Sequence, residues 1–118
     1  MLKKINRINQ EKDFDRFFGL NFKKAHGLNL SAPNLIMKLL KSDLKRSRFG
    51  FIIPNKIDKR ANVRNRIKRQ MREIVRLNLP KIKITVDGLF LVKPGIKKMA
   101  YKQIEKEIVE LFLKARIF

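Results

Sequence analysis

The segment from Arg60 to Arg76, RANVRNRIKRQMREIVR, constrains this chain more than any other. Val63, Ile67, Met71, Ile74 and Leu77 fall on one side of a helix at 100° per residue, with Val75 at the margin. This predicts a helix over residues 61–78, closed off by Pro80, whose apolar side must lie on another layer. The rest of its surface carries seven cations, Arg60, Arg64, Arg66, Lys68, Arg69, Arg72 and Arg76, against one acid, Glu73. A helix charged only for solubility would interleave Glu at i, i+4, because like charges at that spacing destabilise it. Closely spaced, fixed cations suit a nucleic-acid backbone, where each contacted phosphate releases condensed counterions. Arg adds a planar fork that grips a phosphate with two hydrogen bonds.

Helical phase divides these cations. Arg64, Lys68 and Arg72 follow at i, i+4 and i+8 and make a stripe on the flank, which Arg76 extends. Asn65 lies beside the stripe, whereas Arg66 and Arg69 point away from it. One set is expected to line a cleft beside a sheet and the other to meet a second surface.

Composition agrees. The chain has 118 residues, an apolar fraction of 44% and a net charge of +20, so one folded domain with a polyanionic partner is expected. Its apolar runs are all too short to span a membrane, and residues 1–10, MLKKINRINQ, lack the apolar centre of a secretory signal. Those ten residues read as a mobile basic arm. Cysteine is absent, which removes disulfides and thiolate chemistry and, with the charge, points to a cytoplasmic protein.

Along the chain, Phe14, Phe17 and Phe18 at i, i+3, i+4 predict a first helix over residues 11–18, stopped by Gly19. Residues 20–33 read as a loop with a short edge strand at 28–31. A strand is predicted at 34–41, where Leu and Met also allow a helix, and another at 48–53, stopped by Pro54. Asp87-Gly88 reads as a turn leading into a buried strand at 89–93, and residues 100–116 as a closing helix. The class is α+β, with helices over one small sheet. Histidine occurs once, as His26, and the acids are scattered, so neither a metal cluster nor a pair for acid–base catalysis is indicated.

The signature Arg64-Asn65-Arg66-Ile67-Lys68-Arg69, with Arg72 one turn on, preceded by RFGFII and Lys56, resembles that of the bacterial ribonuclease P protein subunit. The similarity covers nearly the whole chain, from the basic start with Arg7 to the closing helix. It implies a small α–β sandwich of the ribosomal-protein type, with one four-stranded sheet, three helices and a left-handed βαβ crossover carrying the signature. It also implies a function: assisting a catalytic RNA subunit that removes the 5′ leader from precursor tRNA. Catalysis and most Mg²⁺ would then belong to the RNA, and no obligate protein partner is implied. By resemblance, Phe14, Phe18, Arg64, Asn65, Lys68 and Arg72 would meet the leader. Arg66, Arg69, Lys56 and Arg60 would meet the RNA subunit. Pro54-Asn55-Lys56 stands where the family usually has Ser-Lys-Lys, and the longer loop after Phe18 leaves the cleft position on the first long strand open between Met37 and Lys38. The alternative is a ribosomal or ribosome-assembly RNA-binding protein.

Overall fold

Alternation along the strands sends one set of side chains to each face of the sheet, and the two faces have different fates. The computed structural model describes residues 2–118. Helices α1 (Glu11–Asp15) and α2 (Gly19–Lys24) precede strands β1 (Leu28–Ser31), β2 (Leu35–Lys41) and β3 (Arg48–Ile52). Helix α3 (Ala61–Asn78), strand β4 (Val86–Val92) and helix α4 (Tyr101–Ala115) complete the chain. The sheet order is β1-β2-β4-β3, antiparallel except for the parallel pair of β3 and β4. Helix α3 therefore runs back along the sheet in a β3–α3–β4 crossover.

The inner face holds the main core. Leu35, Met37 and Leu39 of β2, Phe49 and Phe51 of β3, and Val86, Phe90 and Val92 of β4 pack against α3 and α4. Phe90 stacks on Phe51 with ring centroids 5.7 Å apart and meets the Phe112 edge at 6.0 Å. Helix α3 contributes Val63, Ile67, Met71, Ile74 and Val75, each buried Ile stabilising by about 1.5–3 kcal/mol. Leu77, expected in this stripe, is 49% exposed, because the apolar stripe turns toward Val75 in the last turn. A smaller core on the outer face gathers Ile8, Phe17, Phe22, Leu40 and Leu89.

Three expectations are corrected. The predicted first helix ends at Asp15; Phe18 is extended, and Gly19, at φ +66°, starts a second helix instead of stopping the first. That makes four α-helices among the described residues and places the Phe22 ring 6.3 Å from the Phe17 ring. Asp87-Gly88 is no turn but lies inside β4. Gly88 is needed there because a Cβ would come within 2.5 Å of Phe49 Cε1. The basic start lies against the sheet rather than free: Leu2 and Ile8 are buried and Ile8 N–H donates to Phe49 O at 2.9 Å. Asn6 Nδ2 donates to Ser47 O at 2.8 Å. Met1 of that segment lies outside the described residues.

Candidate nucleic-acid interface

Strand register builds the outer face in rows. Leu40, Asp87 and Arg48 stand side by side on β2, β4 and β3; Lys38, Leu89 and Gly50 form the next row; Ile36, Leu91 and Ile52 form the third.

An ion-pair lattice closes the first row. Buried Asp87 accepts from Arg48 Nε and Nη2 at 3.1 and 2.8 Å, and from Arg16 Nη1 at 3.0 Å. Arg48 Nη1 reaches Asp13 Oδ2 at 3.3 Å. Hydrogen bonding to Asp87, more than any other cause, raises the Arg48 pKa above its ordinary value. The lattice fixes α1 and its following turn on the sheet.

Aromatic rings cover the second row. Phe14 lies so close over Gly50 that a Cβ there would be 2.7 Å from its Cε1. Lys38 Nζ donates to Phe17 O at 3.1 Å and stands 4.5 Å from the centroid of the Phe18 ring, a cation–π contact worth about 0.5–1 kcal/mol at an exposed site. Met37 is fully buried on the inner face, so Lys38 is the open-face residue of β2. Beyond it the third row, Ile36, Leu91 and Ile52, is half-buried. This leaves an apolar trough with Phe14 on its β3 side and the exposed Phe18 on its β2 side.

The signature cations stand along the neighbouring edge. The N-terminal segment bridges the β3 edge at Arg7 and Phe49, which brings Arg7 toward α3. Arg64, Lys68 and Arg72 are half-buried, whereas Asn65, Arg66 and Arg69 are exposed. Burial lowers the Lys68 pKa, and Arg72 and Arg64 lower it further. Burial likewise lowers that of Arg72, with Arg7 adding repulsion. Arg7 Nε and Arg72 Nε are buried without a hydrogen-bond partner in the chain. A buried unsatisfied donor costs about 1–3 kcal/mol. Orphaned donors among mutually repelling cations stabilise nothing here; they suit an incoming anion.

Asn62, Asn65, Lys68, Arg69 and Arg72 line a hollow of about 380 Å³. Arg69 thus joins the flank residues instead of pointing away with Arg66. Asn62, Asn65, Arg69 and Arg72 are spaced i, i+3, i+7 and i+10, which is one helical row. Arg64 does a further job: its Nη1 donates to Asp58 O and Lys59 O, both at 2.8 Å, and so fixes the crossover loop. Arg60 is tied down as well. Its Nε and Nη2 grip Asp58 at 3.1 and 2.9 Å, and Lys97 Nζ joins at 2.9 Å. Arg60 foremost holds the Asp58 carboxyl well below its usual range. Lys56 stays exposed in the turn closed by Ile57 N–H and Pro54 O at 3.0 Å.

The family model described as Ribonuclease P matches residues 2–116. The ribonuclease P protein component of Microcystis aeruginosa is 34% identical over 116 residues, covering 98% of this chain and 95% of that protein. The chain belongs to the ribonuclease P protein family. The Syntrophomonas wolfei component is 35% identical over 118 residues, covering 100% of this chain and 93% of its own. The solved RNase P protein of Staphylococcus aureus superposes with a TM-score of 0.82 at 24% identity, over 96% of this chain and 97% of that one. That of Thermotoga maritima gives 0.75 at 23% identity, over 89% and 93%. These two likenesses establish the α+β fold. The family's role is tRNA 5′ processing, so the ribosomal alternative is not favoured. Among the described residues no helix is long and apolar enough to cross a membrane.

Proposed function

We propose that the chain, as the protein subunit of ribonuclease P, binds the 5′ leader of precursor tRNA along the trough and the α3 flank. Phe14 and Phe18 offer ring faces to leader bases, each stacked base contributing about 1–3 kcal/mol. Lys38, Arg64, Asn65, Lys68 and Arg72 take its phosphates, with Arg7 beside them. Arg66, Lys56 and the exposed side of Arg60 meet the catalytic RNA subunit. Arg69 stands at the boundary of the two surfaces.

Hydrolysis of the phosphodiester falls to the RNA, whose phosphates hold most of the Mg²⁺. This chain supplies grip and charge neutralisation. Its inward acids are already engaged: Asp58 by Arg60 and Lys97, Asp87 by Arg48 and Arg16. With RNA for partners, the protein needs no protein partner and works in the cytoplasm.

One observation carries this reading: the half-buried, acid-free group of Arg7, Lys68 and Arg72 beside an apolar trough. The test is reconstitution. RNA-free protein should leave precursor tRNA intact with Mg²⁺, and cleavage should appear on adding the RNA subunit. Robust cleavage by rigorously RNA-free protein would sink the assignment.

A further inference from the structure

Glu107 is a buried carboxylate that the leader site does not use. It stands in the apolar stripe of α4 with Ile104, Ile108 and Leu111 and is 8% exposed. Its Oε1 accepts from Asn34 N–H at 3.0 Å and its Oε2 from Asn34 Nδ2 at 2.7 Å. Replacing such a buried polar pair by apolar side chains of the same shape is often neutral or stabilising. Stability alone therefore does not account for the carboxylate. What it does fix is the place of Asn34.

Asn34 in turn shapes the segment after β4. Asn34 O accepts from Lys93 N–H at 3.0 Å, and Lys93 Nζ crosses back to Ser31 Oγ at 2.8 Å and Ala32 O at 2.7 Å. Gly95 passes so close that a Cβ there would be 2.1 Å from Asn34 Oδ1. These contacts clamp the start of the 3₁₀ turn Pro94–Lys98, which Ile96 pins into the main core. At the far end of that turn Lys97 Nζ meets Asp58 Oδ2 at 2.9 Å, and Asp58 Oδ1 also takes Arg60 N–H at 2.8 Å. Hydrogen bonds and one tight turn thus link α4 to the entry of α3. Around this path Lys56, Lys59, Arg60, Lys97 and Lys98 are all exposed.

We propose that Glu107 is a positioning residue for the surface that meets the RNA subunit: through Asn34 it sets the 94–98 turn, and through Lys97 and Asp58 that turn sets Arg60 and the entry of α3. The inference rests on the ribonuclease P reading, which gives this end of the molecule to the RNA subunit, and deepens it. Glu107 itself touches no RNA. The cations it serves stand on separate segments, the crossover loop, the 94–98 turn and α3, so their spacing along a phosphate backbone depends on what locks those segments together.

The test measures affinity of the full chain for its ribonuclease P RNA, with urea unfolding to show that each variant is folded. Glu107→Gln sets an amide donor against a donor of Asn34 and should weaken affinity about 2- to 30-fold. Asn34→Asp sets two carboxylates face to face and should weaken it at least as much. With both changes the amide at 107 donates to the carboxylate at 34, the backbone N–H of residue 34 keeps its acceptor, and affinity should recover. Glu107→Gln with Asp58→Asn should cost less than the product of the single losses, because both break one path. Asn34→Ala reads the same path should Glu107→Gln not fold, and Arg60→Ala is the control on the surface itself. Unchanged affinity in folded Glu107→Gln or Asn34→Ala, beside a loss in Arg60→Ala, overturns the inference and makes Glu107 a core residue only. Losses that multiply with that of Asp58→Asn overturn it too. Unchanged affinity in Arg60→Ala and Arg66→Ala as well overturns the reading itself, since no RNA subunit then docks here.

Discussion

Arg72→Met separates stability from function at the cation group. Methionine keeps most of the packing of the arginine stem and deletes the guanidinium. In the free protein that removes a buried Nε without a partner and the repulsion between Arg72 and both Arg7 and Lys68. Such a donor costs about 1–3 kcal/mol, and solvent reaching the outer nitrogens trims the relief, so a gain of about 1 kcal/mol is expected. With a urea m-value of about 1–3 kcal/mol/M, the unfolding midpoint should rise by roughly 0.3–1 M with m unchanged. In the complex the same change loses a charge-assisted hydrogen bond of about 1.5–3 kcal/mol, which is roughly 10- to 150-fold in leader affinity. Unfolding should be followed in a buffer free of sulfate and phosphate, which would occupy the site. Binding should be compared for leader-bearing and mature tRNA on the assembled enzyme. Arg7→Met should show the same opposition, and the double variant should gain less than the two singles summed, since the repulsion disappears only once. A lower midpoint with unchanged leader preference would refute the reasoning and make Arg72 an ordinary structural residue.

Asp87→Asn should destabilise by about 3 kcal/mol, the low end for a broken buried ion pair because Arg16 is partly solvated; a loss in urea below about 1 kcal/mol contradicts the lattice. Gly50→Ala should push the Phe14 ring off the sheet and weaken leader-bearing substrate selectively, whereas equal penalties on mature tRNA would remove Phe14 from the leader site. Lys68 gives a pH dependence. Its pKa is lowered in the free protein, and a bound phosphate favours the charged form, so binding takes up a proton between the lowered value and the higher one in the complex. Leader affinity should fall as pH rises through that window and fall less in Lys68→Arg; identical profiles would exclude Lys68.

What was legible in the sequence was whatever periodicity alone decides. Helix α3 occupies the predicted residues 61–78 because its apolar spacing and Pro80 fix both face and end. Strands β2 and β3 followed from short apolar runs bounded by turns. The failures have tertiary causes. Gly19 reads as a stop, yet a positive φ also lets the chain turn and start again, and only the space beneath Phe17 and Phe22 decides between them. Asp87-Gly88 has the composition of a turn. It becomes strand because Arg48 and Arg16 neutralise the aspartate and Phe49 needs the glycine's space. Helical phase alone turns Arg69 away from the Arg64, Lys68 and Arg72 stripe, while the row it shares with Asn62, Asn65 and Arg72 carries it into the same hollow. Arg7 carries no local signal for its place, since nothing near it in sequence shows that the chain start would pair with β3.

The acids explain why some cations of this chain are scaffold and others are surface. Asp58 holds Arg60 and Lys97 across the crossover loop, Asp87 holds Arg48 and Arg16 between α1 and the sheet, and Glu73 holds Arg76 on α3. Asp58 and Asp87 thereby tie their cations into the fold before any RNA arrives, whereas the Glu73–Arg76 pair stays within one exposed helical turn. Arg64 reaches the same end without an acid, through two loop carbonyls. Among the described residues, Arg7, Lys68 and Arg72 are buried far enough for Arg72 to feel the other two, and no acid pairs with them. That arrangement raises the free energy of the unbound protein, and a phosphate chain can reverse it without moving the fold. The crossover loop, fixed by Asp58 and Arg64, then keeps the cations in register along α3. On the proposed reading, affinity for RNA comes from charge the fold leaves unpaired, and register comes from charge it pairs.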